Sequence, residues 1–104
     1  MPEIIHTHSA RVTTPDGAEY RAVIMGEERR DGTWEGWIEF VPLAGGRPCR
    51  TGQETSQPGR RALEYWAGGL EPLYLEGAFS RAVRVDAKAR ANADAGRSEV
   101  SRAP

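Results

Sequence analysis

The chain has one cysteine, Cys49, no excess of charge of either sign and no long apolar run. A lone cysteine excludes an internal disulfide framework and fits a reducing compartment, so a cytoplasmic protein is expected. The 14 Lys and Arg against 15 Asp and Glu leave a net charge of −1: no overall basic field gathers nucleic acid, and no acidic block solvates a tail. No segment approaches the roughly 18 apolar residues of a membrane span, and the opening from Met1 to His6 lacks the basic n-region of a signal peptide. Also missing are the G-x-S-x-G, P-loop, zinc-protease and dinucleotide fingerprints, so no catalytic residue, cofactor or metal is read from the sequence and a non-catalytic protein is expected. At 104 residues the chain is sized for one domain, a sheet with one helical layer.

What is there alternates with a period of two through the first half. Ile4 to Thr13 can form a strand with Ile4, His6, His8, Ala10 and Val12 on one face. Thr14-Pro15-Asp16-Gly17 is a turn, since proline presets φ, aspartate bonds back to the backbone and glycine accepts a positive φ. A second strand, Glu19 to Glu28, and a third, Trp34 to Phe40, flank Asp31-Gly32, a strong hairpin signal, and therefore pair antiparallel. A fourth, more polar strand is expected from Arg47 to Thr55, with Pro48 suited to an edge.

After Pro58 the period becomes helical. Leu63, Trp66, Ala67, Leu70, Leu73, Tyr74, Gly77 and Ala78 fall on one stripe, with Thr55 or Ser56 as N-cap and Pro58 in the first turn. Gly68-Gly69 and Pro72 interrupt it, so a kink or two helices, Pro58 to Gly68 and Glu71 to Val85, are expected. The fold class is thus α+β: an antiparallel three- to four-stranded meander packed on one face by a kinked helix or two helices. Residues 1–85 read as a single domain and 86–104 as a flexible polar tail whose alanines can extend the helix by a turn or two.

The candidate site comes from counting sheet faces. The helical stripe covers the face carrying Tyr20, Ala22, Ile24, Trp34, Ile38 and Phe40. Val23, Met25, Trp37 and Val41 point the other way, rimmed by Arg21, Glu35 and Glu39, and such a rimmed apolar patch marks an interface centred on Trp37. A homodimer or an adaptor acting through Val23, Met25, Glu35, Trp37, Glu39 and Val41 is the expected function. The alternative is a nucleic-acid or phosphate binder using a basic edge of Arg47, Arg50, Arg60 and Arg61, the last two at a helix N-terminus. His6 and His8 share a strand face but have too few companions for a zinc set. Glu35 and Glu39 lie about 13 Å apart along the strand, beyond the spacing of a glycosidase pair. Cys49 reads as a small hydrophobe.

Tyr20 opening a strand, Asp31-Gly32 at the hairpin, Thr51 to Thr55 leading into the helix, and Leu63-Glu64-Tyr65 with Tyr74-Leu75-Glu76 along it resemble the partial double-stranded-RNA-binding-like fold of HicB-type antitoxins. The resemblance spans Tyr20 to Ala78 and implies a protein partner, a toxin, rather than a reaction. The strand order also resembles a true double-stranded-RNA-binding domain, without that family's lysine-rich helix N-terminus.

Overall fold

The structure is a computed structural model that describes the backbone of residues 1–101 and the side chains of residues 1–94. Over these residues the chain runs β1 (Glu3–Thr13), β2 (Glu19–Glu28), β3 (Trp34–Pro42), β4 (Cys49–Arg50), β5 (Thr55–Gln57), α1 (Arg60–Gly68) and α2 (Pro72–Ser101). The sheet is antiparallel in the order β1-β2-β3-β4, with β5 also pairing β3, and both helices contact it. This is the expected α+β meander.

The hairpin signals act as their chemistry predicts. Gly17 and Gly32 take φ of 90° and 87°, and Asp16 and Asp31 bond Thr14 and Thr33. Those hydroxyl bonds, the largest effect in each case, hold both carboxyls below their usual range. β2 and β3 then pair without a slip from Glu28↔Trp34 to Tyr20↔Pro42. β1 slips twice, between Ile4 and His6 and between Thr7 and Arg11. A bulge breaks strict alternation. Ile4 therefore lies opposite Met25 on the far face while Ile5 packs towards the core, so Ile4 does not share the face of His6, His8 and Val12 as expected.

The expected fourth strand is two short pieces. Between them Thr51 turns its side chain into the ladder: it is fully buried, its Oγ1 accepts from the Ile38 amide at 3.0 Å and donates to the Gly52 carbonyl at 2.7 Å. The polar run continues into β5, so Thr55 and Ser56 are strand residues and the α1 N-cap is Gly59, which offers no side-chain cap.

Ala67, Leu75, Ala78 and Ala82 seat the two helices on Ala22, Ile24, Ile38 and Phe40. Leu63 fits a notch made by two glycines that face each other across β2 and β3, Gly26↔Gly36. A Cβ on Gly26 would lie 2.5 Å from Leu63 Cδ2, and one on Gly36 2.7 Å from its Cδ1. The helix break falls where glycine and proline predict it. α2 starts a new phase there, with Leu75, Ala78 and Ala82 inward, so of the residues expected on the buried stripe Leu73 faces outwards and Tyr74 is only partly covered. α2 also continues past Val85 to Ser101. Residues 102–104 of the expected tail lie outside the described residues.

Candidate functional site

The sheet face opposite the helices places the first set of candidates together, but not as an open patch. Trp37 is 3 % exposed. β4 pairs Arg50 with Glu39, which brings the Arg50 guanidinium over the indole at 4.4 Å from the ring centroid. Cross-strand pairing puts Met25 beside it, and Arg29 bonds Glu35 at 3.1 Å, Ser56 at 3.2 Å and Gln53. The expectation of an accessible Trp37 fails because a charged side chain from β4, rather than a helix or a tail, roofs it. Val23, Met25, Glu35 and Glu39 are half-buried and only Val41 is exposed. The Trp37 Nε1–H has no hydrogen-bond partner among the described residues.

The four arginines have separate neighbours. Arg47 pairs with Asp86 at 3.4 Å, a carboxylate shared with Arg90. Arg50 stacks on Trp37. Arg60 is held by Glu3 at 2.5 Å and Glu64 at 3.0 Å, over the Trp34 ring. Arg61 borders a groove between the helices. Three of them are thus committed to carboxylates or an indole, and Arg47 and Arg50 border one hollow beside Asp86. Cys49 is half-buried; burial and the Asp86 charge push its thiol up, away from reactivity.

His8 uses both ring nitrogens: Nδ1 accepts from the Ala10 amide at 3.1 Å, so Nε2 carries the proton it donates to the Leu70 carbonyl at 2.8 Å. The pair His6 and His8, ring centroids 6.0 Å apart, is edge-to-face, and no group of three or more metal-ligating side chains occurs among the described residues.

Among the described residues, the most exposed large apolar side chains after Met1 lie at the corner where α1 turns into α2. Tyr65 is 88 % and Leu73 79 % exposed. Between them runs a groove of about 840 Å³ lined by Ala62, Tyr65, Trp66, Leu70 and Tyr74 with Gln57 and Arg61 at one end. A smaller lobe of about 410 Å³ continues from Leu70 and Tyr74 to Glu71 and Leu73. Its floor is rigid. Trp66 meets Tyr74 edge-to-face at 6.0 Å, and the Tyr74 hydroxyl donates to Glu54 Oε1 at 2.7 Å. Glu54 is only 8 % exposed at its side chain and also takes two bonds from Arg81, at 3.0 and 2.5 Å. Burial works to raise the Glu54 carboxyl, but the Arg81 and Tyr74 bonds outweigh it and hold it below its ordinary value. Burial first, then the bond to this carboxylate, pushes Tyr74 up to about 12.

The sequence signal for this surface was the stripe itself. It contains Trp66, Leu70, Leu73 and Tyr74, and a phase break at Gly68-Gly69 cannot leave all of them inside. No protein-family model, curated protein or solved structure matches the chain.

Proposed function

We propose that this chain is a non-catalytic protein-interaction module and that its binding surface is the α1–α2 corner rather than the Trp37 face. One observation carries the reading: two large apolar side chains, Tyr65 and Leu73, stand almost fully exposed beside a groove whose aromatic floor is fixed by the Glu54 network. A scattered exposed leucine needs no explanation, whereas a contiguous patch with aromatic residues at its centre and charge at its rim has the make-up of an interface. The groove lies between two helices, the setting in which an apolar helical face or a row of side chains is received. Neutralising a toxin, as the HicB-type resemblance implies, is one form such binding takes. The single cysteine fits work in the cytoplasm.

The test compares proteins retained by the immobilised chain, itself included, with those retained by a Tyr65→Ser, Leu73→Ser double variant. Specific retention by the wild type and loss from a variant with an unchanged unfolding curve is the expected result; identical retained sets would contradict the reading.

A further inference from the structure

Resting on that reading, we infer that the partner at the corner is a second copy of this chain, docked about a two-fold axis. The surface has the features an isologous contact requires, a projection and a recess on the same patch. Leu73 projects at the small lobe, and the large lobe beside Trp66 is the recess. From Arg61 to Leu70 the groove follows nine steps of helix and its continuation, on the order of 14 Å. A two-fold axis across its middle carries Leu73 of each copy over the large lobe of the other.

The charges agree with that orientation. Arg61 borders the large lobe and Glu71 the small one, so they stand at opposite ends of the groove. Both are exposed, and among the described residues neither has an ion-pair partner, whereas Arg60, beside Arg61 in the chain, and Arg81, near the Tyr74 ring that lines the groove, are both paired. The two-fold brings Arg61 of one copy to Glu71 of the other, twice. A parallel arrangement would set Arg61 on Arg61 and Glu71 on Glu71, and like charges facing each other disfavour it.

Sedimentation velocity on the intact chain across a concentration series tests this. The wild type should be dimeric, Leu73→Asp should raise the dimer dissociation constant by at least tenfold, and Arg61→Glu and Glu71→Arg should each weaken the dimer, with affinity recovered in the double variant that restores opposite charges. Two results overturn the inference. A dimer that ignores all three substitutions uses another face. A monomeric wild type has no second copy at the corner; the broader reading then stands if the Tyr65→Ser, Leu73→Ser variant loses a different protein and falls if it loses none.

Discussion

Gly36 and Trp37, neighbours on β3, show how opposite faces of one strand are settled by single side chains. Gly36 is glycine because Leu63 occupies the space its Cβ would take, and Thr55 Cγ2 lies 3.0 Å from the same point. Leu63 is fully buried and has nowhere to move. Gly36→Ala should therefore destabilise by about 1 to 3 kcal/mol, the usual range for overpacking. Leu63→Ala should cost about 2 to 5 kcal/mol. Chemical denaturation of the double variant should give less than the sum, because each substitution relieves the other; strict additivity would remove the notch from the account. On the far face, Arg50→Ala should uncover Trp37, at a cost of about 0.5 to 1 kcal/mol for the lost cation–π contact. The expected readout is greater acrylamide quenching of tryptophan fluorescence. Unchanged quenching would mean that the guanidinium does not shield the indole.

Among the elements, the hairpins, the glycine–proline helix break and the helix-covered residues Ala22, Ile24, Ile38 and Phe40 were legible because turn chemistry and period are local properties. Three things were not. The β1 slips arise from pairing against β2, so alternation alone grouped Ile4 with His8 and Val12, from which the slip separates it. Thr51 entering the ladder split the fourth strand, since a hydroxyl can replace a backbone partner without any mark in the pattern. The orientation of Arg50 depends on its register with Glu39, which hid Trp37 and moved the candidate site elsewhere. Arg81 from α2 grips Glu54 from the connection between β4 and β5, and this joint responds to pH. The folded Glu54 carboxyl ionises more readily than in the unfolded chain, so its contribution is present above its ordinary value of 4.5 and is lost as pH falls through the lower folded value. Tyr74, raised from 10 to about 12, acts in the opposite direction: its contribution holds below pH 10 and is lost as pH rises towards 12. Urea midpoints should decline at both ends of the range, and Glu54→Gln should flatten both declines. If that variant keeps the wild-type profile, the joint does not set the pH response.

At the scale of the molecule, α2 determines the shape. Thirty helical residues span about 45 Å, whereas the ten of β2 span about 33 Å, so the helix overruns the sheet. The Cα radius of gyration is 16.1 Å and the extents are 54 × 40 × 20 Å, against about 13 Å for a compact chain of this length. Small-angle scattering of the Leu73→Asp variant should return the larger value. A result near that of a compact sphere would mean that α2 folds back.

The claim that the helix corner, and not the roofed Trp37 face, meets the partner is tested most directly by photo-crosslinking in cells that express the intact chain. A benzophenone amino acid replaces Tyr65 in one experiment and Val41, on the opposite face, in another. Position 65 should yield a discrete crosslinked protein, a second copy or another chain, and position 41 none. A crosslink from position 41 alone would contradict that claim and return the interface to the sheet.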